Sequence, residues 1–93
     1  MIYEFRTYDL EPRSVEQFGE NTKVKLDGRL KLSPLGGFWY TEMGPLNQVV
    51  HIWPYEDANH RSDIRSKAVT EGDWPPDNND IILNMTRNIS ANF

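Results

Sequence analysis

Few side chains in this chain of 93 residues could do chemistry, and most of them fall within strand-like runs. His51 sits in Val49-Val50-His51-Ile52-Trp53, where alternation places it on one face with Val49 and Trp53. An imidazole there could act as a general base or hold a ligand. The plainer reading is a buried histidine whose ring nitrogens pair with a carbonyl or a carboxylate. Glu42 and Glu4 are carboxylates within strand-like runs. Apolar surroundings would raise such a group toward proton abstraction, whereas a cationic neighbour would hold it as an ion pair. Arg6 and Arg87 are the available mates. Arg87 also interrupts the apolar alternation of Met85, Ile89, Ala91 and Phe93. It marks either a seat for a ligand carboxylate or a structural ion pair. Arg61 and Arg65, one helical turn apart, could grip a phosphate or carboxylate or form a solvated basic face. Tyr8, Trp39, Tyr40, Trp53 and Tyr55 could line an aromatic pocket, or could be core and interface.

Several classes find no support. Cysteine is absent and only two histidines occur, so neither disulfides nor a thiolate or histidine-rich metal site is expected. No glycine-rich phosphate loop, His-Glu-x-x-His or nucleophile elbow is found, and no cofactor is expected. Fourteen acidic and ten basic side chains give a net charge of −4 without a basic cluster, which argues against general nucleic-acid binding. No apolar run approaches the length of a membrane span, and the first residues lack a leader's apolar core, so the expected location is cytoplasmic.

The elements that must position these residues follow from periodicity. Ile2 to Leu10 alternates as a first strand, with Tyr3, Phe5 and Thr7 on one face and Ile2, Glu4, Arg6 and Tyr8 on the other. Ser14 opens a helix in a capping-box arrangement with Gln17, and Val15, Phe18, Thr22, Leu26 and Leu30 give it an apolar face. Ser33-Pro34 stops it. Leu35 to Met43 reads as a second strand and Gln48 to Trp53 as a third, joined as an antiparallel hairpin through Gly44-Pro45. Asp57 caps a second helix to about Val69, with Ala58, Ile64, Ala68 and Val69 as its thin apolar face. Glu71 to Asp80 is a loop, and Ile81 to Phe93 is a last strand. The order β-α-β-β-α-β predicts a single α+β domain over residues 1–93, ferredoxin-like (split β-α-β), with two helices on one face of a four-stranded antiparallel sheet. Large apolar residues on both faces of the central hairpin then require cover on the second face, and a second copy's sheet would supply it. A homodimer or higher homo-oligomer is therefore expected.

The run Gly37-Phe38-Trp39-Tyr40-Thr41-Glu42-Met43-Gly44-Pro45-Leu46-Asn47-Gln48-Val49-Val50-His51-Ile52-Trp53, with the opening Ile2-Tyr3-Glu4-Phe5-Arg6-Thr7-Tyr8, resembles the signature of the NIPSNAP family. The resemblance implies a ferredoxin-like fold of the dimeric α/β-barrel superfamily, in which two sheets face each other. It carries over no catalytic residues. Pro75-Pro76 and the run Asp77 to Asp80 depart from the more helical segment of relatives. The wider superfamily includes cofactor-free monooxygenases, haem-degrading enzymes and isomerases, a kinship of fold. Three functions remain open. The first is a binder of a small, aromatic or apolar organic molecule, with Arg6, Tyr8, Trp39, Tyr40 and Trp53 as candidate contacts beside His51 and Glu42. The second is a cofactor-independent monooxygenase or isomerase with His51 or Glu42 as base. The third is an interaction module without a ligand. A cavity of about 300 Å3 or more holding His51 or Glu42 favours the first two.

Overall fold

The computed structural model describes residues 1–92; the expected place of Phe93 in the last strand lies outside them. Its elements are β1 (Ile2–Leu10), α1 (Val15–Leu30), β2 (Gly37–Tyr40), β3 (Gln48–Tyr55), α2 (Ala58–Glu71) and β4 (Ile82–Ala91). The strands form one antiparallel sheet in the order β2-β3-β1-β4. This is the expected ferredoxin-like arrangement.

Register fixes the two faces. Arg6 is the cross-strand partner of both His51 and Arg87, and Phe38 is the partner of His51, so these four share a face. Both helices pack on that face. Phe18 of α1 joins Tyr8, Leu10 and Val49 in one buried cluster. Ile64 of α2 joins Trp53 and Tyr55 in a second, against which Leu26, Leu32 and Trp74 pack. The opposite face presents Tyr3, Phe5, Thr7, Val50 and Ile52, all only partly buried. Trp39 lies there too, 54% exposed, its indole folded over Gly37, where a side chain would collide with the ring.

The structure departs from expectation in four places. Ser14 does not cap α1 through its side chain. Its backbone (φ −101°, ψ 0°) is close to helical rather than in the extended region from which a capping hydroxyl reaches back. Asp57, at φ −160° and ψ −176°, does cap α2 and accepts from the His60 N–H at 2.8 Å. Second, α1 turns Arg29 inward (2% exposed) and leaves Leu30 40% exposed. At 3.6 residues per turn, position 29 lies only about 20° around the helix from Phe18 and position 30 about 120°. The same rotation buries Ala68 on α2 and exposes Val69. Third, β2 ends at Tyr40 and not at Met43, because the chain leaves the sheet through an exposed turn in which Gly44 and Asn47 take positive φ. Fourth, Met85 and Ile89 of edge strand β4 face the helix side yet stay 41% and 47% exposed. No helix is long and apolar enough to cross a membrane among the described residues.

Candidate functional site

The alternation of β3 sends Val49, His51, Trp53 and Tyr55 beneath the helices. The His51 ring lies between two aromatic rings, stacked on Tyr8 of β1 (centroids 5.3 Å, planes 5° apart) and on Phe38 of β2 (5.1 Å, 19°). Two residues along its own strand, Trp53 donates its indole N–H to His51 Nδ1 at 2.6 Å. An Nδ1 that accepts must be unprotonated, so the neutral ring carries its proton on Nε2. Burial, followed by the charges of Arg6 and Arg29, pushes the His51 pKa down to about 3. The imidazole is therefore neutral at physiological pH, and its Nε2–H is a donor.

Beneath this pair lies Arg29. Its guanidinium rests 4.0 Å from the Trp53 ring centroid and donates to Ser33 Oγ at 2.7 Å and to the Tyr55 hydroxyl at 2.9 Å. Its recorded partners are neutral oxygens and an indole face, and burial lowers its pKa accordingly. Burial raises Tyr55, which remains a phenol.

A cavity of about 300 Å3 opens between the sheet, α1 and the loop that follows α2. Tyr8, Phe18, Phe38 and His51 form its inner wall, and Trp74, Pro75, Pro76 and Asn78 of the loop close over it. Asn78 is 4% exposed and is anchored by the Asn21 amide, which donates to its Oδ1 at 2.9 Å. Tyr8 is raised by burial and stays protonated. Arg6 stands at one edge, its Nη2 pointing to the Met85 sulfur at 3.3 Å. A second, smaller cavity of about 80 Å3 lies on the far side of Arg6, Trp74 and Pro75, lined also by Glu4, Arg29 and Arg65.

Glu4, 1% exposed, is the anionic centre of this region. Four arginines from three elements converge on its carboxylate: Arg61 Nε at 3.0 Å, Arg87 Nε at 3.3 Å, and Arg6 Nε and Arg65 Nη1 each at 3.8 Å. Among these contacts the Arg61–Oε1 pair forms a hydrogen bond, whereas Glu4 Oε2 and Arg6 Nε are buried without one.

The candidates read from sequence thus separate. Arg6, Tyr8 and His51 meet at the main cavity, and Trp53 backs it by fixing the imidazole. Glu42 does not join them; it sits exposed in the turn after β2, and that turn replaces the strand that was expected to carry it inward. Trp39 projects from the opposite face, and Tyr40 is 60% exposed at the strand end, so neither lines the cavity. Phe18, Phe38, Trp74 and Asn78 were not among the site candidates read from sequence, and only the fold brings them together. The indole–imidazole pair was legible as i, i+2 neighbours on one strand face, whereas carbonyl or carboxylate partners were expected. No group of three histidine, aspartate or glutamate side chains is placed to hold a metal ion among the described residues.

A family model described as NIPSNAP matches residues 3–92. The human Protein NipSnap homolog 3B is 40% identical over 87 residues, covering 92% of this chain and 34% of that protein. The Dictyostelium discoideum Protein NipSnap homolog is 36% identical, covering 78% of this chain and 33% of its own. The chain spans about a third of the length of the curated relatives it matches. Among solved structures, an uncharacterized NIPSNAP-like domain protein from Burkholderia xenovorans superposes with a TM-score of 0.86 at 32% identity, covering 99% of this chain and 84% of that one. A Nitrosomonas europaea structure described as an antibiotic biosynthesis monooxygenase has a TM-score of 0.69 at 12% identity, covering 99% of this chain and 98% of the other, a likeness of fold alone.

Proposed function

The chain belongs to the NIPSNAP family, and from that premise we propose that it is a homo-oligomeric binder of a small organic molecule held in the cavity beside His51. The observation that carries this reading is the cavity itself: about 300 Å3, walled by Tyr8, Phe18, Phe38 and Trp74, with Arg6, Asn78 and a neutral imidazole as its convergent polar groups. Apolar walls with a few placed donors describe a ligand pocket, and an interaction module has no need of one. The chemistry of His51 favours binding over turnover. Its Nδ1 already accepts from Trp53, and a conjugate acid with a pKa of about 3 belongs to a weak base at neutral pH. Glu42, the other candidate base, lies away from the cavity.

Thr22 lines the cavity from α1 and is 4% exposed, so a longer side chain there occupies the space. A neutral aromatic probe, 2-naphthol, is expected to quench tryptophan fluorescence in the wild type and to bind at least about tenfold more weakly to Thr22→Met. Equal affinity for both proteins would remove the cavity from the account.

Assembly is the second half of the proposal. Tyr3, Phe5, Val50, Ile52 and Trp39 form an apolar band across β1, β3 and β2 on the face opposite the helices. A second copy's sheet fits that band. Sedimentation at micromolar concentration is expected to show dimers or larger assemblies for the wild type and single subunits for Phe5→Lys. Single subunits for both would end this part of the proposal.

A further inference from the structure

We infer that the arginines gathered around Glu4 are an oxyanion seat, and that the molecule held in the adjoining cavity is an organic carboxylate with an apolar body. The inference deepens the cavity reading and rests on it. Its first ground is a charge count. Arg6, Arg61, Arg65 and Arg87 bring four positive charges within 3.8 Å of one carboxylate, which leaves a surplus of three. A structural pair needs one arginine or two. The second ground is register: Arg6 and Arg87 are direct cross-strand partners on β1 and β4, a like-charge pairing that weakens a sheet, and Glu4 Oε2, 3.8 and 3.3 Å from them, hydrogen-bonds to neither. The third is the state of Arg6. Its buried Nε has no hydrogen-bond partner, and its Nη2 meets a thioether, a poor acceptor, although a guanidinium forks onto carboxylates through paired donors. Burial and the neighbouring Arg87 lower the pKa of Arg65, as a crowd of cations short of an anion requires.

Position then selects the ligand. Arg6 belongs to the walls of both cavities, with Trp74 and Pro75 between them. An apolar body lying against Tyr8, Phe38 and Trp74 brings a carboxylate at its end to Arg6. Arg65 and Arg87 keep side chains 37% and 34% exposed, so the seat is reached from solvent past edge strand β4.

Benzoate, 2-naphthoate and octanoate, each beside its neutral amide and beside inorganic phosphate, test this by calorimetry on the full chain. At least one acid is expected to bind about tenfold or more tightly than its amide, with the margin shrinking as salt rises. Arg87→Gln, and separately Arg65→Gln, is expected to cut that margin to about threefold or less while amide binding is kept. In the absence of ligand, the melting temperature of Arg87→Gln should be unchanged or higher, because a surplus charge is removed; a fall of about 5 °C or more would make Arg87 a structural partner and overturn the seat. Acid and amide binding equally would overturn the seat and keep the cavity. Phosphate binding as tightly as the best acid would overturn the apolar body. Silence from 2-naphthol and from every acid and amide would overturn both readings together.

Discussion

Glu4→Gln is expected to cost the domain about 3–5 kcal/mol, the usual penalty for stranding buried charge by removing its partner. Glutamine keeps the shape of the side chain and one acceptor oxygen, so packing changes little. The negative charge goes, and Arg6, Arg61, Arg65 and Arg87 then face one another with no anion between them. In a chain of 93 residues this corresponds to a fall in melting temperature of about 15 °C or more. Sulfate should restore part of the loss beyond whatever it adds to the wild type, because an anion drawn from solvent to the partly exposed Arg65 and Arg87 weakens the repulsion among the guanidiniums. A fall below about 5 °C would show that the carboxylate is not what holds the four guanidiniums together.

The second large effect is a dependence on pH set by His51. The group titrates near 6.5 in an unfolded chain and at about 3 in the fold. A folded pKa depressed below the unfolded one means that the unfolded chain takes up the proton first. The stabilisation is therefore complete above pH 6.5 and is lost as pH falls toward 3. By pH 4.5 the loss from this group alone reaches about 2.5 kcal/mol. Urea unfolding at pH 7.0 and at pH 4.5 measures it. Above pH 4.5 most carboxylates stay ionised, so His51→Gln, whose side-chain oxygen can accept from Trp53, should show a much flatter profile. A wild type as stable at pH 4.5 as at pH 7 would mean that the ring is charged or wetted in the fold.

The architecture was legible because its signals are local. The alternation from Ile2 to Leu10, the hairpin around Gly44-Pro45 and the Asp57 cap each depend on residues within a few positions of one another, and each element formed close to its expected place. Where expectation missed, the reason lay in geometry that residue types alone do not carry. Arg29 rather than Leu30 turned inward because helical phase outweighed hydropathy, and the hydroxyls of Ser33 and Tyr55 and the face of Trp53 receive its guanidinium. Glu42 looked like a strand carboxylate until the chain left the sheet after Tyr40. The arginines were legible one by one as ion-pair partners or basic surface. That four of them share one carboxylate depends on bringing positions 4, 6, 61, 65 and 87 together, and no local pattern announces it. The loop from Trp74 to Asn78 was read as a loop, yet its role as the roof of the cavity follows only from the way it folds back over Phe18 and Tyr8.

The sheet order also sets the tempo of folding. β1 is an interior strand, flanked by β3 and by β4, and its pairing with β4 joins Ile2 to Ala91. β1 is synthesised before β4 and finds this neighbour only once the residues between the two strands have been made. Closing so long a loop is entropically slow, and domains rich in such distant pairings tend to fold in milliseconds to seconds. Until then the first strand keeps a bare backbone edge, which is the kind of intermediate that chaperones protect from aggregation.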